Sequence, residues 1–458
     1  MKLTSEQRAA VEAAAAGESL KVAAVAGAGK TLTLVEAAKA APGRRKVYLV
    51  FNRSMAEAAR ARLPEDVQIF TLNAYAWRQV VANTPYRAKW RGGHVGVRTL
   101  VRRWGEVVRP YAAGALRTLE RFFQSADLEP GPQHLPEDLD PEDREETLVL
   151  AEAVWAAMRD PADDFPLTHG AYLKLWQLEG APIAADLLLV DEAQDLNPVL
   201  VEKLRAFEGQ LLLVGDPFQQ IYGWRGAVNA MEAFALPEVR LSRSFRFGPA
   251  VAEVAEAVLR HGGFRVRIEG AGRSRVNRWW GAAKPPVTVL TRTNLGLVEE
   301  ALKLAGRPLH LVGRDWREAA VLLREINRIR AGEGSEHPLL SKHGSWRDLE
   351  GAARHGRRWL LPYLELAERW GKRLGPQLQL LAESRVEPQR AEYTLATVHQ
   401  AKGEEWPRVR LGGDLRLPSP KAIRRGDAAA REELNALYVA VTRPREQLDL
   451  TRGQVKGL

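Results

Sequence analysis

The chain has 458 residues, of which 45% are hydrophobic and 27% are charged, so we expect two or more globular domains. It contains no cysteine, which excludes disulfides, thiolate zinc sites, iron–sulfur clusters and cysteine nucleophiles. No apolar run reaches the roughly 18–20 residues of a membrane span and no secretory signal begins the sequence, so we expect a cytoplasmic protein with no membrane partner. The formal net charge of +10 favours a polyanionic partner.

Six short apolar runs, most of them followed by a helical pattern, predict how the chain is organised. They lie at residues 20–27, 46–52, 185–195, 210–216, 285–294 and 392–400. Short Val- and Leu-rich runs between helices are typical of parallel sheets that helices cover on both faces. Two segments, 78–170 and about 312–390, break this spacing and read as helical. The sequence therefore predicts an α/β fold of two parallel-sheet domains with helical insertions.

The segment AVAGAGKT (24–31) lies between the first apolar run and a helical pattern, which is the context of a phosphate-binding loop. Gly27 and Gly29 would let backbone N–H groups approach phosphate oxygens, and Lys30 would neutralise phosphate charge. Thr31 would ligate Mg²⁺. The position of the first glycine in the general pattern holds an alanine here. The alternative is a glycine-rich turn with an incidental lysine.

A second candidate for the same chemistry follows an apolar strand in LLLVDEAQD (187–195). Asp191, at the end of the strand, would be an outer Mg²⁺ ligand, and Glu192 could accept a proton from an attacking water. The alternative is a solvated acidic loop. Together the two segments predict a nucleotide site with a hydrolytic water.

DEAQD and the segment VGDPFQQIYGWRGA (214–227) resemble the second and third motifs of superfamily 1 helicases of the UvrD/Rep type. Segments similar to the family's other motifs follow its order: LTSEQ (3–7), the phosphate loop, FNRSMAEAARARL (51–63), FTLNAYAW (70–77), SRSFR (242–246), VLTRTN (289–294), TVHQAKGEEW (397–406) and EELNALYVAVTRPREQL (432–448). FPLTHGAYLKLWQL (165–178) is most similar to the helicase core of the F-box DNA helicases. The resemblance covers residues 3 to about 450.

This resemblance implies two RecA-like domains of the P-loop NTPase type, the second with a much reduced helical insertion. The implied ranges are 1–77 and 171–238 for the first domain (1A), 78–170 for its insertion (1B), 239–313 and 390–458 for the second domain (2A), and 314–389 for the reduced insertion (2B).

The resemblance also assigns residues to an ATP and Mg²⁺ site, in which the phosphate-loop and DEAQD residues keep the roles given above. Gln7 would read the adenine edge, although it also fits a capping box at a helix start. Gln219 would sense the γ-phosphate. Arg246 and Arg443 resemble the family's two arginine fingers, with a surface ion pair as the alternative for each. The other cofactor-binding candidates are Ala26, Gly27, Ala28, Gly29, Phe245 and Glu405.

Three motifs depart from the family's usual pattern. Ser244 and Phe245 replace Asn and Tyr, which keeps an aromatic face but removes a hydroxyl. Glu404 replaces a leucine beside the residue assigned to the ribose, Glu405. Pro444 replaces an alanine and would stiffen the chain after Arg443.

The resemblance places single-stranded DNA across both domains. Tyr222 and Trp224 would stack on bases beside Arg225, and the alternative for Trp224 is a packed core aromatic. The positions that match the family's backbone contacts are Phe51, Asn52, Thr71 and His399. Residues 77–121 carry ten Lys or Arg against two Glu, with aromatic residues between them. This stretch is either a solvated helical face or a patch that faces duplex DNA.

The function implied is an ATP-dependent 3′–5′ DNA helicase and single-stranded DNA translocase that acts on single strands and on single-strand/duplex junctions. The alternative is an ATP-gated single-strand binding module that displaces proteins without unwinding duplex. The short second insertion leads us to expect a monomer that unwinds without assembling.

Overall fold

The computed structural model describes residues 2–50, 53–223, 226–278 and 284–450. The chain divides into two compact units, Met1–Ser242 and Arg243–Leu458. Within the described residues each unit contains a six-stranded parallel sheet with helices around it, and helices are inserted into both units. The predicted fold class is confirmed. No helix in this part of the chain has the length and apolar character needed to cross a membrane.

The sheet of the first unit has the strand order β3-β2-β4-β5-β1-β6, with all neighbours parallel. Its strands are β1 (Leu20–Ala24), β2 (Lys46–Val50), β3 (Val67–Thr71), β4 (Leu187–Val190), β5 (Gln210–Gly215) and β6 (Glu238–Leu241). The carboxyl ends of parallel strands meet at one edge of a sheet, where ligands of such folds bind. Because β4, β5 and β1 are neighbours, the loops that follow them lie side by side at that edge.

Ten helices belong to the described part of the first unit. They are α1 (Ser5–Ala15), α2 (Lys30–Ala40), α3 (Arg53–Arg60), α4 (Leu72–Val80), α5 (Val97–Trp104), α6 (Arg109–Phe123), α7 (Arg144–Arg159), α8 (His169–Glu179), α9 (Pro198–Arg205) and α10 (Ala230–Ala233). Helices α5 to α8 enter between β3 and β4. Phe122 and Trp155 from these helices share one buried cluster with Leu49 and Leu188 of the sheet. The first insertion is therefore fixed to the sheet by a continuous apolar core.

The sheet of the second unit has the order β11-β12-β10-β13-β14-β9, again parallel. Two short strands, β7 (Arg243–Ser244) and β8 (Glu269–Gly270), pair separately. The sheet strands are β9 (Arg275–Asn277), β10 (Val287–Thr291), β11 (Leu309–Leu311), β12 (Tyr393–Thr397), β13 (Trp406–Leu411) and β14 (Pro444–Asp449). Strands β13 and β14 had no apolar signal, because they bury polar side chains such as Arg410 and Gln447.

The helices described in the second unit are α11 (Pro249–His261), α12 (Asn294–Leu304), α13 (Trp316–Arg330), α14 (Trp346–Arg354), α15 (Leu361–Trp370), α16 (Leu374–Glu383), α17 (Val398–Ala401), α18 (Pro420–Arg424) and α19 (Ala428–Val441). Helices α13 to α16 lie between β11 and β12 and form the second insertion. Leu323, Ile326 and Leu364 of this insertion pack in one cluster with Leu297 and Leu309 of the sheet layer. The insertion is thus a small helical layer on the edge of the sheet.

Candidate functional site

The phosphate-loop candidate runs from the end of β1 to the first residue of α2. Gly27 and Gly29 have φ angles of 76° and 80°, in the left-handed region that favours glycine. A Cβ atom on Gly29 would lie 2.8 Å from Gln7 Nε2, so a larger residue would also collide there. Lys30 is the first residue of α2, at the helix end where backbone N–H groups and the positive end of the dipole attract anions.

Gln7 packs against this loop and also caps α1. Its side-chain oxygen accepts from the Thr4 N–H at 3.0 Å, and its backbone N–H donates to Thr4 Oγ1 at 3.1 Å. The capping-box alternative is therefore confirmed. Gln7 Nε2 also donates to the Ala28 carbonyl at 3.2 Å, so the cap and the phosphate loop are connected. The adenine-reading role stays a prediction.

Lys30 and Glu192 form an ion pair, with 2.8 Å between Nζ and Oε1. Burial alone would lower the pKa of Lys30, but the carboxylates of Glu192, Asp191 and Asp216 outweigh burial, so the pKa is raised. Lys30 is therefore a positive charge at neutral pH. The strand order explains the contact, because β4 and β1 both flank β5 and bring their loops to one edge.

Asp191 follows β4 and is only 5% exposed. Its Oδ2 accepts from the Tyr48 hydroxyl at 2.8 Å, and its Oδ1 accepts from the Glu192 N–H at 2.8 Å. Burial, and next the Glu192 charge, raise the pKa of Asp191. Glu192 itself has a φ of 53°, which is unusual for a residue with a side chain.

Tyr48 was missed by the sequence reasoning. It lies on β2, beside β4, with its ring in the core and its hydroxyl at the carboxylate. Burial, and next the neighbouring Asp191 charge, raise the pKa of Tyr48 well above its usual range, so the phenol remains a donor. A tyrosine in an apolar run reads as core, and only the pairing of β2 with β4 brings it to Asp191.

Gln194 was also missed, although it lies within DEAQD. It is completely buried, and its Nε2 donates to Glu192 Oε2 and to Asp195 Oδ2. Its Oε1 accepts from the Asp216 N–H at 3.1 Å. A Cβ on Gly215 would lie 2.3 Å from that oxygen, so glycine is needed where β5 ends. Gln194 therefore links the loops that follow β4 and β5.

Gln219 continues this chain of contacts. Its Nε2 donates to Asp216 Oδ2 at 2.7 Å, and the side chain is buried. The structure thus connects Lys30, Glu192, Gln194, Asp216 and Gln219 by successive hydrogen bonds. Three predicted residues, Lys30, Glu192 and Gln219, thus belong to one network at the carboxyl edge of the sheet of the first unit.

Arg246 and Arg443, in the second unit, have different surroundings. Arg246 Nε donates to Glu405 Oε2 at 2.8 Å and its guanidinium reaches the Thr442 carbonyl, so an ion pair is present. Arg443 is 1% exposed, and its guanidinium donates to the carbonyls of Val439 and Glu404. A surface ion pair does not fit Arg443. Their role as arginine fingers stays a prediction.

Phe245 is 40% exposed, and the Arg243 guanidinium lies 5.7 Å from the centre of its ring. Thr71 ends β3 and caps α4, because its side chain accepts from the Ala74 N–H. His399 lies on α17.

Tyr222 lines a cavity of about 240 Å³ with Glu192, Asn73 and Gln124. The predicted contacts Phe51, Asn52, Trp224 and Arg225 lie outside the described residues.

The aromatic residues of the basic stretch 77–121 are partly buried and pack against the core of the first unit: Trp77, Tyr86, Trp90, Trp104 and Tyr111. Lys89 is buried, and its Nζ donates to the carbonyls of Ala157, Met158 and Asp160. These aromatic side chains are therefore largely structural. Arg91, Arg98 and Arg102 are exposed, which both the solvated face and the patch that faces duplex DNA require.

Two family models match the chain. The UvrD/REP helicase N-terminal domain matches residues 180–234, and the UvrD-like helicase C-terminal domain matches residues 376–454. The first match contains the DEAQD segment and Gln219, and the second contains Glu405 and Arg443.

Several curated proteins are similar over much of the chain. F-box DNA helicase protein 1 of Schizosaccharomyces pombe is 30% identical over 98% of this chain and 57% of its own length. F-box DNA helicase 1 of Gallus gallus is 29% identical over 98% of this chain and 49% of its own length. ATP-dependent DNA helicase UvrD2 of Mycobacterium tuberculosis is 28% identical over 57% of this chain and 47% of its own length. The chain spans about half the length of these relatives.

Among solved structures, the arterivirus nonstructural protein 10 helicase aligns with 96% of this chain and 61% of its own, at 12% identity and a TM-score of 0.35. The two family models and the F-box DNA helicase relatives agree with the motif order along the sequence. The chain thus contains regions that match the N- and C-terminal domain models of UvrD-like helicases, and it is similar over 98% of its length to an F-box DNA helicase.

Proposed function

We propose that the protein is an ATP-dependent DNA helicase and single-stranded DNA translocase with 3′–5′ polarity. The observation that supports coupling between ATP and DNA is the hydrogen-bonded chain from Lys30 through Glu192, Gln194 and Asp216 to Gln219, whereas the polarity is taken from the resemblance to UvrD/Rep helicases. It connects the phosphate loop to the segment that continues into Tyr222. A structural change at the bound nucleotide can therefore be transmitted to Tyr222, whose ring is suited to stacking on a base.

In the proposed hydrolysis, Lys30 neutralises phosphate charge and the glycines of its loop present backbone N–H groups. Glu192 accepts the proton of the attacking water, and Gln219 orients that water. In the structure Lys30 uses the Glu192 carboxylate as its counterion. Phosphates that bind Lys30 would take over this role and free Glu192 to act as a base. Arg246 and Arg443 are the proposed arginine fingers, and Gln7, Phe245 and Glu405 the proposed contacts to base and ribose.

Mg²⁺ fits the donor set of this site. A hydroxyl on Thr31 and a carboxylate on Asp191 are the hard oxygen ligands that Mg²⁺ prefers, together with phosphate oxygens. No cluster of three His, Cys, Asp or Glu side chains that could hold a metal alone occurs in the described residues. When bound, the ion would offset the charge of the phosphates. Asp191 is held in place for this by Tyr48 and by the Glu192 N–H.

The Tyr48→Phe variant tests that positioning. Loss of the hydroxyl leaves one oxygen of a buried carboxylate without its donor, and such outer contacts typically change metal affinity or activity about 10- to 100-fold. We expect the Mg²⁺ concentration for half-maximal ATPase activity to rise by about 10-fold.

Tyr75→Phe is the matched control, because Tyr75 is also buried but accepts from the Ala184 N–H away from Asp191. An equal shift in both variants would mean that the Tyr48 hydroxyl acts only through stability.

DNA binding is proposed to involve Tyr222, Trp224 and Arg225 with the backbone contacts Phe51, Asn52, Thr71 and His399. The affinity for single-stranded DNA should fall steeply with salt, since each neutralised phosphate contributes a slope of about −0.7 in log K against log salt. Fluorescence anisotropy with a labelled oligonucleotide between low and physiological salt measures this slope. A flat profile would contradict a track along the phosphates.

The activity itself is tested by measuring the ATPase rate with single-stranded DNA, duplex and RNA, followed by strand displacement from 3′- and 5′-tailed duplexes. Release of labelled strand from the 3′-tailed substrate alone supports the proposal. The alternative function, removal of proteins from single strands, predicts streptavidin displacement from biotinylated DNA with no strand separation.

A further inference from the structure

Most of the segment FPLTHGAYLKLWQL (165–178) lies in helix α8, whose Lys174 is completely buried. Lys174 Nζ donates to the carbonyls of Ser125 and Asp127, at 3.0 and 2.8 Å, and to Gln177 Oε1 at 2.9 Å. It also lies 4.3 Å from the centre of the Phe122 ring. All three protons of the ammonium group are therefore used, and two of them hold backbone carbonyls just beyond the end of α6.

The held segment is residues 124–127, which we call the α6 turn. Gln177, one helical turn after Lys174, donates from Nε2 to the Ala126 carbonyl at 2.7 Å. A Cβ on Gly170 would lie 2.5 Å from the Phe123 ring, so glycine lets α8 approach the end of α6 closely. Helix α8 thus fixes the α6 turn through three consecutive carbonyls and one close helix contact.

The other side of the α6 turn faces the loop that follows Gln219. Gly226 of that loop has a φ of 75°, and a Cβ built on it would lie 3.3 Å from the Gln124 carbonyl oxygen. Gln124 also lines the cavity that Tyr222 and Glu192 line. The loop is in turn joined to the segment after DEAQD by paired backbone hydrogen bonds between Leu196 and Val228.

We propose that Lys174 is a positioning residue that, through the α6 turn, holds the backbone at Gly226 in the conformation that couples DNA binding to ATP hydrolysis. The proposal rests on the proposed DNA-stimulated ATPase. It assigns a role to the α8 segment, which the nucleotide and DNA sites leave unused. Lys174 touches neither ligand in this scheme, so its loss should affect the DNA-stimulated rate and spare the basal rate.

The charge of Lys174 offers an independent readout. Burial lowers its pKa to about 8, against the raising effect of the carboxylates of Asp127 and Glu129. His134, which pairs with Asp127, is the other titratable group here, and burial lowers its pKa. The ammonium form donates three hydrogen bonds, and the neutral amine can donate only two. One of the three hydrogen bonds of Lys174 is therefore lost as the pH rises through about 8.

The test compares Lys174→Met with Lys89→Met. Both lysines are buried in the segment between β3 and β4 and donate to backbone carbonyls, but Lys89 binds the end of α7, away from the α6 turn. ATPase rates are measured with and without single-stranded DNA. We expect Lys174→Met to lower the DNA-stimulated rate by about 10-fold, the scale of a coupling change of 1–2 kcal/mol, with an unchanged basal rate. Lys89→Met should retain the stimulation.

The ratio of stimulated to basal rate in the wild type should fall between about pH 7 and 9, and in Lys174→Met it should be flat. Gln177→Leu keeps the lysine and its bonds to Ser125 and Asp127 but removes the Ala126 contact and the Gln177 acceptor of Lys174, so it covers the case in which Lys174→Met fails to fold. We expect it to lower the stimulated rate by about 2- to 3-fold. Unchanged stimulation in a folded Lys174→Met, or in Gln177→Leu if the first does not fold, would overturn the inference. A wild-type ATPase that DNA does not stimulate would overturn the proposed function as well.

Discussion

Replacement of Glu192 by glutamine is expected to lower ATP turnover by about 10²- to 10⁴-fold while ATP binds at least as tightly as to the wild type. The amide is nearly the same size as the carboxylate but cannot accept the proton of the attacking water. It also ends the ion pair with Lys30, which leaves the lysine available to the phosphates. Turnover is measured by phosphate release, and affinity by titration calorimetry.

Lys30→Ala should lose both properties, because the charge that compensates the phosphates disappears. Glu36→Gln is the control, since Glu36 forms an exposed pair with Lys39 on the same helix, α2. It should change neither turnover nor affinity. Comparable loss of affinity in Lys30→Ala and Glu192→Gln would contradict the base role of Glu192 and make it a structural partner of the lysine.

Arg246→Ala is expected to lower turnover by about 10³-fold with little change in ATP affinity, because an arginine finger stabilises charge that develops in the transition state. Arg246→Lys should recover only part of the rate, since lysine keeps the charge and loses the planar pair of donors. Arg443 is a less direct test. Its guanidinium is buried on the carbonyls of Val439 and Glu404, so its removal changes stability first.

Arg243→Ala provides the matched control for Arg246. Arg243 is an exposed arginine three residues earlier, paired with Glu269 at 3.5 Å. Rates should be measured at saturating ATP, with circular dichroism to verify folding. If Arg246→Ala and Arg243→Ala hydrolyse ATP equally fast, the Arg246–Glu405 ion pair is the whole function of Arg246.

The sequence predicted the residues whose chemistry is local. A lysine at the start of a helix and two acids at the end of an apolar strand can be recognised from the sequence without knowledge of the strand order. Tyr48 and Gln194 cannot be recognised in this way, because their contacts depend on which strands are neighbours. Tyr48 reaches Asp191 across the pairing of β2 with β4, and Gln194 reaches Asp216 across the pairing of β4 with β5.

The same distinction applies to the fold. The six apolar runs correspond to β1, β2, β4, β5, β10 and β12, which occupy central positions or have buried faces. Strand β14 was not apparent, because Gln447 and Asp449 bond to each other, with Asn277 of β9 also donating to Asp449. Polar side chains that satisfy one another can be buried, and their partners are distant in sequence. The basic stretch 77–121 shows the converse, since its aromatic residues are needed for packing.

The left-handed backbone conformation of Glu192 places conformational strain at the position of the proposed catalytic base. A side chain in that region costs about 1–3 kcal/mol relative to a relaxed backbone, and glycine would remove much of this cost. The strain is offset by contacts of the side chain, since Lys30 donates to one carboxylate oxygen and Gln194 to the other. Glycine would relieve this strain, but it would also remove the ion-pair partner of Lys30, so the two effects on stability oppose each other. The proposed catalytic base therefore stands at a position where relief of backbone strain alone gives little gain in thermostability.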